Sequence, residues 1–241
     1  MQYKTELHLH TSEVSPCSFQ TAEEVAEVFI REGYSTVVVT NHYCDYVMNN
    51  AGETWEERFS HFMKGYRAMK DYVGDRLTVL LGAELRFEEA LNDYLVFGLT
   101  EEYLHDHPDL HKMTLKSFSA LAKENGILIV QAHPFRNGMK IMPPELIDGY
   151  EVFNASPGHH SRNDMALHWV KKYEKIPTSG SDFHHEGASI AVGGILTDEP
   201  IVSIEQLCGI LRQGKYSLLA SGPSAERDGI RPFAARNLTN I

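Results

Sequence analysis

Residues 5–18 read TELHLHTSEVSPCS, a short apolar run that ends in two histidines one residue apart. Side chains of a β-strand alternate between its two faces, so His8 and His10 point one way while Leu7 and Leu9 point the other. Two imidazoles on one face are typical of a metal site, although a single H-x-H pair is equally compatible with ordinary histidines. The positions of the remaining histidines decide between these two interpretations.

Length and composition indicate one folded α/β domain. The 241 residues are too few for two large domains, and the 42% of hydrophobic residues provide a substantial core. The three cysteines, Cys17, Cys44 and Cys208, are odd in number and widely spaced, so the sequence predicts neither a disulfide framework nor a thiolate zinc site. We therefore expect a single domain over residues 1–241.

Charge and hydropathy narrow the range of partners. The 22 basic and 33 acidic residues give a net charge of −11, which disfavours long nucleic acids but allows a small phosphorylated substrate beside bound cations. The chain has no run of about 18 apolar residues, so no membrane partner is expected. The first ten residues, MQYKTELHLH, lack the apolar segment of a signal peptide, and we expect a cytoplasmic protein. The oligomeric state stays open.

Short apolar runs alternate with amphipathic helical segments along the chain. This alternation predicts a mostly parallel sheet and, at this length, a barrel. Helices are predicted over 22–33, 54–73, 114–125 and 162–172, the first of them opened by a capping box of Thr21 and Glu24. Strands are predicted at 5–8, 36–40, 77–83, 94–98, 127–131, 149–153 and 177–179, with weaker candidates at 191–196 and 216–219. Residues from about 220 to 241 read as a helix-poor tail that packs on the barrel or on a neighbouring molecule.

Metal-binding side chains stand at the carboxyl ends of five of these strands. In chain order they are His8 and His10, His42, Glu84, His133, and Asp182 with His184. In a parallel α/β barrel all carboxyl ends meet at one face, where active sites form. Structural histidines have no reason to choose the same end of every strand, so the set predicts a shared site.

The types of donor limit both the metal and the reaction. Imidazole and carboxylate donors without thiolates favour Zn²⁺, Mn²⁺ or Fe. Seven donors exceed the needs of one tetrahedral ion, so we predict two or three divalent metal ions that share bridging carboxylates. Such a centre is suited to the hydrolysis of a phosphate ester through a metal-bridged hydroxide. Asp182 and His184 are the candidate catalytic residues, because side chains of this kind can also carry a proton.

Five short motifs, taken in order, resemble the PHP domain family, which is named after polymerases and histidinol phosphatase. They are H-x-H-T at His8, T-N-H at His42, G-x-E at Glu84, A-H-P at His133 and G-S-D-F-H at Asp182, and the resemblance extends to about residue 194. It implies a distorted, TIM-like (β/α)7 barrel with two or three metal ions in a cleft at the carboxyl ends of the strands. It also implies phosphoesterase activity, with the seven residues above as metal ligands.

The chain departs from the family pattern at three places. Asn41 stands where the family often has the aspartate of T-D-H, a change that we expect to alter ligand orientation more than metal count. The loop after H-x-H offers only Glu13 and Cys17 where many members have another ligand. Some members also have a ligand histidine after the fourth strand, and the nearest candidates here are Glu101, Glu102, His105 and His107.

A phosphate group requires cations near the metals, and the guanidinium group matches its geometry best. Arg136, three residues after His133, and Arg162, in the loop after the 149–153 strand, are the leading candidates for substrate binding. Further basic candidates are Arg86 and Lys140, and the loop histidines that could protonate a leaving group are His159, His160 and His185.

Three functions are compatible with this pattern. The first is a metal-dependent phosphoesterase that acts on a small phosphorylated metabolite, similar to a histidinol phosphatase. The second is a phosphodiesterase or exonuclease for nucleoside bisphosphates or short oligonucleotides, with Tyr43 and Phe135 as stacking candidates, but the sequence shows no basic track beside them. The third is a non-catalytic, metal-stabilised PHP domain, although inactive relatives usually lose ligands and all seven positions are filled here.

Overall fold

Strands and helices alternate along the chain in the computed structural model, which describes residues 2–185 and 192–236. In these ranges the strands are β1 (Tyr3–Leu9), β2 (Tyr34–Val39), β3 (His42–Tyr43), β4 (Thr78–Arg86), β5 (Asp93–Phe97), β6 (Leu128–Gln131), β7 (Gly149–Asn154), β8 (Ile176–Gly180), β9 (Ile195–Thr197), β10 (Ser217–Leu218) and β11 (Phe233–Ala234). The helices are α1 (Ala22–Arg31), α2 (Asp45–Asn50), α3 (Trp55–Val73), α4 (Glu101–Asp106), α5 (Leu115–Glu124), α6 (Asn163–Tyr173), α7 (Ile204–Gln213) and α8 (Gly222–Asp228).

The strands form one mixed sheet. Its order is β11-β10-β9-β1-β2-β4-β5-β6-β7-β8, with β3 paired to β4 outside this path. The pairs β1–β2, β2–β4, β6–β7 and β7–β8 are parallel, whereas β5 runs antiparallel to both β4 and β6. The predicted α/β class is confirmed, but the seven β/α units of the predicted distorted barrel are not, because the antiparallel β5 interrupts the parallel order. The reason is that residues 87–92, between β4 and β5, contain no crossover helix and are too few for a parallel return.

The sheet curls until the end of β8 reaches the end of β1. The His10 N–H donates to the Phe183 carbonyl (3.0 Å), and the Phe183 N–H donates to the His8 carbonyl (3.3 Å). Leu9 and Phe183 form a parallel bridge at the same place. The carboxyl ends of β1 and β8, which carry four of the predicted metal ligands, are therefore held side by side.

The hydrophobic core lies between this curled sheet and the helices outside it. Leu7 and Leu9 of β1 are fully buried, and Phe29 of α1 packs edge-on against Phe183 with ring centroids 5.5 Å apart. Since Leu7 and Leu9 take the outer, helix-covered face of β1, His8 and His10 face the inside of the curl. Local sequence supports the helices that complete the core: α1 begins at the predicted capping box, in which the Glu24 N–H donates to the hydroxyl of Thr21.

Every predicted strand and helix has a counterpart, with ends that shift by a few residues. Residue 191 of the weak 191–196 candidate lies outside the described residues. Helices α2, α4, α7 and α8 have no counterpart among the sequence predictions, and α8 shows that the tail is not as helix-poor as predicted. Strand β11 of this tail pairs with β10, and Asp228 at the end of α8 accepts a hydrogen bond from the Asn163 N–H (3.1 Å). The single-domain organisation stays a prediction. None of the described helices combines the length and the apolar character that crossing a membrane requires.

Candidate metal centre

The seven predicted ligands converge at one end of the curled sheet, and we refer to them together as the donor cluster. They come from the ends of β1 (His8, His10), β3 (His42), β4 (Glu84), β6 (His133) and β8 (Asp182, His184). Five of them are buried, while His42 and His184 keep side-chain exposures of 18% and 22% and so face the solvent side. The convergence of the strand ends places all seven side chains where sequence reasoning expects them.

Glu84 lies at the middle of the donor cluster. Its Oε1 is 3.1 Å from His133 Nε2 and 3.3 Å from His8 Nε2. Its Oε2 is 2.9 Å from His42 Nδ1 and 3.4 Å from His10 Nε2. Each oxygen therefore faces its own pair of imidazoles, which is the arrangement that a carboxylate bridging two cations requires.

Asp182 directs one carboxylate oxygen at the donor cluster and uses the other to accept hydrogen bonds. Its Oδ1 is 3.4 Å from His8 Nε2 and 3.5 Å from His10 Nε2. Its Oδ2 accepts hydrogen bonds from Arg136 Nη2 (2.7 Å) and Asn154 Nδ2 (3.2 Å). These two donors fix the carboxylate plane, so Oδ1 points at the two histidines.

His133 and Asp182 both adopt left-handed backbone conformations, with φ of 28° and 52°. Such conformations cost a non-glycine residue on the order of 1–3 kcal/mol and persist only where the surroundings enforce them. Here the His133 N–H donates to Glu151 Oε2 (2.9 Å), and Arg136 and Asn154 hold the Asp182 side chain. Two ligand candidates in strained conformations are typical of a functional site.

Three imidazole nitrogens of the donor cluster are buried and have no hydrogen-bond partner among the described residues. They are His8 Nε2, His10 Nε2 and His133 Nδ1. A buried nitrogen without a partner costs about 1–3 kcal/mol, and cations could use His8 Nε2 and His10 Nε2, which lie close to Glu84 and Asp182. In His8 the other nitrogen, Nδ1, is 2.9 Å from Glu151 Oε1, so the N–H is directed away from the donor cluster. The residues present thus fit divalent metal ions that accept imidazole and carboxylate ligands.

Charges in the donor cluster are strongly coupled. Burial opposes the charged form of His8, but the carboxylates of Glu151, Asp182 and Glu84 outweigh it and raise the pKa of His8 well above its usual value. In the same way Glu84 raises the pKa of His42. The neighbouring imidazoles hold the pKa of Glu84 well below its usual range in spite of burial. Without cations, protons on these imidazoles balance the negative charge that metal ions would balance when bound.

Two buried glutamates beneath the donor cluster were missed by sequence reasoning. Glu151 of β7 accepts hydrogen bonds from His8 and from the His133 N–H. Glu6 of β1 accepts through Oε1 from the backbone N–H groups of Leu7, His8 and Ser181, each at 2.9 Å. Burial raises the pKa of Glu6 to about 7. The available signal is an acidic residue inside an apolar strand, in TELHL for Glu6 and in GYEVF for Glu151.

Asp93 is a further side chain at the site that the sequence did not reveal. It is the first residue of β5, and because β5 is antiparallel its amino end lies beside the carboxyl ends of the other strands. Its carboxylate can join His42 and Glu84 as a metal-binding group, and its Oδ2 lies 3.8 Å from His133 Nε2. Arg86 holds it through Nε (2.6 Å) and Nη2 (2.9 Å). A prediction that treats every strand as parallel cannot place Asp93 here.

Of the two candidates in the loop after H-x-H, Glu13 has a structural contact and Cys17 lies at the site. Glu13 Oε1 accepts a hydrogen bond from the Ala22 N–H at the start of α1 (2.8 Å). Cys17 Sγ lies 3.1 Å from His184 Nε2 on the solvent side of the donor cluster. Burial raises the pKa of the Cys17 thiol, but hydrogen bonds with His184 and His42 outweigh it and lower the value to about 6. Cys17 therefore offers a thiolate next to two predicted ligands.

The four candidates after the fourth strand lie away from the donor cluster. Glu101 binds Arg67 (2.6 Å), and His105 and His107 make local contacts with Asp106 and with the Tyr103 carbonyl. Neither these residues nor Glu102 belongs to any metal-binding group found in the described ranges. The contacts of Glu101, His105 and His107 are made within α4 and with α3.

Asn41 supports the ligands from below. Its Oδ1 accepts hydrogen bonds from the Thr11 N–H (2.8 Å) and from the Ser15 hydroxyl (3.0 Å). Because Ser15 uses its proton on Asn41, its Oγ accepts from His10 Nδ1 (3.2 Å) and from the His42 N–H (3.0 Å). This series of hydrogen bonds, from Asn41 through Ser15 to His10, directs His10 Nε2 at the donor cluster. Asn41 therefore acts on the orientation of a predicted ligand.

A cleft of about 640 Å³ opens over the donor cluster. Arg86, Arg136, His159 and His160 are among the residues that line it. Arg136 Nε is buried and has no hydrogen-bond partner among the described residues, whereas its Nη2 binds Asp182. Arg136 thus presents a cationic wall to the cleft.

Arg162 and the two predicted stacking residues do not line this cleft. Arg162 Nη1 donates to the Phe135 carbonyl and Nη2 to Asn137 Oδ1, both at 2.6 Å, so its guanidinium braces the loop after His133. Tyr43 is buried against Phe62, with ring centroids 5.0 Å apart, and Phe135 packs against a tryptophan of α6. The geometry favours Arg136 over Arg162 as the contact to a substrate anion.

The fold is shared with solved structures of low sequence identity. PsfC from Pseudomonas syringae PB-5123 matches with a TM-score of 0.67 at 14% identity, over 93% of this chain and 94% of that protein. Endonuclease Q, solved with a 27-mer duplex that carries an abasic lesion at the active site, matches with a TM-score of 0.63 at 15% identity. That match covers 88% of this chain but only 57% of endonuclease Q. An amidohydrolase from Chromobacterium violaceum, with bound sulfate and no metal, matches at 0.51 and 14% identity, over 86% and 96% of the two chains.

These similarities concern the fold alone, because all three identities lie far below the level that implies a common activity. No known family profile and no curated protein matches the sequence. The PHP resemblance therefore rests on the five motifs, the fold shared with endonuclease Q is consistent with it, and membership stays a prediction.

Proposed function

We propose that the protein is a metal-dependent hydrolase of phosphate esters and that its substrate is a small phosphorylated compound. The observation that carries this proposal is the position of Glu84, whose two oxygens face separate pairs of imidazoles directly below a cleft with a cationic wall. A carboxylate so placed would serve as a ligand for two cations, and phosphate ester hydrolysis is the reaction that most needs such a pair.

Four overlapping groups of side chains would hold the ions. They are His8 with Glu84 and His133, His8 with His10 and Asp182, His10 with His42 and His184, and His42 with Glu84 and Asp93. Asp93 lies beside the first group, and Cys17 lies beside the third. Bound divalent ions at these positions supply Lewis acidity, which lowers the pKa of water and neutralises charge on phosphate oxygens.

The protein's own residues orient the ligands. Glu151 accepts the Nδ1–H of His8, and Ser15 accepts that of His10, so both rings direct Nε2 at the donor cluster. Gly180 allows β8 to approach β1 closely, because a Cβ at this position would overlap the Cβ of His8 and crowd Glu151 Oε1. The strand ends are therefore packed at a distance that only glycine permits.

Arg136 is the residue that would bind the substrate phosphate. Its side chain is 13% exposed, and its contact with Asp182 Oδ2 holds the guanidinium plane in place. Arg136 lines the cleft, and guanidinium hydrogen bonds to phosphate are charge-assisted. Burial is outweighed by His8 and Arg136, which keep the pKa of Asp182 well below its usual range, so Asp182 stays ionised and suits the role of metal ligand.

A phosphodiesterase or nuclease is the second candidate, and the fold shared with endonuclease Q is the observation that favours it. The cleft argues for a smaller substrate. Its two arginines, Arg86 and Arg136, are both paired with carboxylates, and the net charge of −11 opposes a long polyanion. We therefore expect a phosphate monoester to be a better substrate than a short phosphate diester.

The test uses the full chain loaded in turn with Mn²⁺, Zn²⁺ and Fe²⁺. Turnover of p-nitrophenyl phosphate is compared with turnover of bis(p-nitrophenyl) phosphate and of a p-nitroanilide. We expect the monoester to be the best substrate, and we expect Glu84→Gln and His133→Ala to lower kcat/KM at least about 100-fold, since loss of a mere supporting residue already costs 10–100-fold. His168→Ala, a change at an exposed histidine of α6, is the matched control and keeps full activity.

Faster turnover of the diester than of the monoester would favour the phosphodiesterase or nuclease instead. Turnover of the anilide alone would overturn phosphate specificity. If no ester is cleaved with any metal, while chelation lowers Tm sharply, the hypothesis of a metal-stabilised, non-catalytic domain replaces the proposal.

A further inference from the structure

His111 is a buried histidine outside the donor cluster with no polar partner. It lies in the segment between α4 and α5, its exposure is 0%, and neither Nδ1 nor Nε2 has a hydrogen-bond partner among the described residues. The ring packs beside Tyr43, with centroids 5.6 Å apart. Burying a polar group without a partner costs about 1–3 kcal/mol, so an imidazole with two unused nitrogens points to a ligand.

Two carboxylates stand where such a ligand would sit. The nearest atoms of Asp45, Glu88 and His111 lie within 4.8 Å of one another. Asp45 Oδ1 is 4.0 Å from His111 Nε2, which is too far for a hydrogen bond. A tetrahedral zinc ion with bonds of about 2.0–2.2 Å holds a nitrogen and an oxygen about 3.3–3.5 Å apart, so an ion fits here once the exposed carboxylates move inward by roughly 1 Å.

From this geometry we propose that Asp45, Glu88 and His111 form a second, mononuclear site for a divalent transition-metal ion such as Zn²⁺, separate from the donor cluster. One imidazole and two carboxylates are a ligand set that zinc accepts, and water completes the coordination. None of the three residues lines the cleft over the donor cluster.

The backbone already holds two of the three ligands together. The Glu88 N–H donates to the His111 carbonyl (3.1 Å), which joins the turn after β4 to the segment before α5. Asp45 is the first residue of α2 and is held by the Asn49 side chain, whose Nδ2 donates to Asp45 Oδ1 (2.6 Å). Both carboxylates belong to exposed residues, so the ion can enter from solvent and they can adjust to it.

The local charge balance favours a cation. Asp45 and Glu88 contribute two negative charges, and burial lowers the pKa of His111, so the imidazole is neutral and available as a ligand. Lys112 and Arg58 are the cations whose charges act on His111, and the Nζ of Lys112 is paired with Asp109 Oδ2 (3.2 Å). The bound ion would link α2, through Asp45, to the β4–β5 turn, through Glu88. Asp45 lies three residues after His42 of the donor cluster.

The test counts zinc ions on the full-length protein by elemental analysis after equilibration with buffered Zn²⁺. We expect Glu88→Gln, alone and combined with Asp45→Asn, to bind one ion per chain fewer than the unaltered protein. Both changes are at exposed positions and leave the core intact. The matched control is Asp71→Asn with Glu124→Gln, two exposed carboxylates of α3 and α5, and it retains the full count.

His111→Gln gives an independent reading, because it removes the buried ligand. Zn²⁺ raises Tm of the unaltered protein through all its sites, and we expect a smaller rise for His111→Gln and for Asp45→Asn/Glu88→Gln than for the control pair. Equal zinc counts in the unaltered protein and the Glu88 variants would overturn the proposal, and so would an equal loss in the control pair.

Discussion

His8 Nδ1 and Glu151 Oε1 lie 2.9 Å apart, and both side chains are completely buried. This contact determines which nitrogen of His8 faces the donor cluster, because a carboxylate accepts the proton on Nδ1 and leaves Nε2 as the nitrogen that can bind a metal ion. The other oxygen of Glu151 accepts from the His133 N–H and from Asn154 Nδ2, each at 2.9 Å. One buried carboxylate therefore holds the ends of β1 and β6 together and also fixes the orientation of His8, a predicted ligand.

Glu151→Gln keeps the size of the side chain but replaces an acceptor oxygen by an amide N–H₂ group. That group opposes either the His8 N–H or the backbone N–H of His133, so the ring of His8 loses its fixed orientation. We expect metal affinity to fall about 10–100-fold, as it does when supporting residues of metal ligands are changed elsewhere. Competition with a chromophoric chelator measures the affinity directly.

Glu124→Gln is the control for this prediction, since Glu124 is an exposed residue at the end of α5. It should bind metal like the unaltered protein. If Glu151→Gln folds normally, as judged by circular dichroism, and keeps the same affinity, Glu151 does not position His8.

The donor cluster was predictable because its members follow a local rule. His8, His42, Glu84, His133 and Asp182 each stand at or just beyond the end of a hydrophobic run, and parallel strands bring such ends together. This inference needs only the positions of the strands and not their detailed geometry. The same rule failed for Asp93, because the direction of β5 depends on a short connection whose path the apolar pattern does not encode.

Side-chain direction within loops was less predictable. Arg162 is close to the cleft in sequence terms, but its backbone is left-handed (φ 50°), and its guanidinium binds the loop that follows His133. Arg136 occupies the wall because Asp182 and Asn154 hold it there through contacts across 46 and 18 residues of chain. Long-range contacts of this kind leave no signal in a single sequence.

Gly65 in the middle of α3 marks the closest approach of this helix to the site. A Cβ at this position would overlap the Thr11 hydroxyl and lie 2.7 Å from Asn41 Nδ2. Gly65→Ala therefore pushes on the Asn41–Ser15–His10 chain, and overpacking of this kind costs about 1–3 kcal/mol. We expect lower Tm and weaker metal binding, measured by thermal denaturation and by chelator competition.

Gly209 in α7 is the matched control, because a Cβ there meets only Gln213 Nε2 at 3.9 Å. Gly209→Ala should stabilise the protein by about 0.5–1 kcal/mol through helix propensity and leave metal binding unchanged. A Gly65→Ala protein as stable as the Gly209→Ala protein would contradict the steric argument.

Cys17 is expected to contribute a thiolate ligand when metal binds beside His42 and His184. Replacement of the native ions by Co²⁺ should then produce a sulfur-to-cobalt charge-transfer band in the near ultraviolet. Cys17→Ser should abolish the band, whereas Cys44→Ser, at a partly buried cysteine two residues after His42, should retain it. A band that survives in Cys17→Ser, or one that is absent from the unaltered protein, would exclude Cys17 as a ligand.

Metal binding should release protons, because the pKa values of His8 and His42 are raised well above the usual 6.5 by the surrounding carboxylates in the metal-free protein. Both rings carry a proton at pH 7 and must lose it to become ligands. His10 contributes no proton, since burial and its neighbours His184 and His42 hold its pKa well below the usual value. We therefore expect at least two protons to leave when the donor cluster fills.

The sign of the pH dependence follows from this release. Protons compete with the metal, so affinity rises as the pH is raised from about 6 to about 8, by up to tenfold per pH unit for each proton released. Calorimetric titrations in buffers of different ionisation enthalpy give the number of protons directly. His42→Ala should release one proton fewer, and His168→Ala, at an exposed histidine of α6, should release the full number. Binding heats that are the same in every buffer would show that no proton leaves, and the carboxylates would then not hold His8 and His42 in their charged forms.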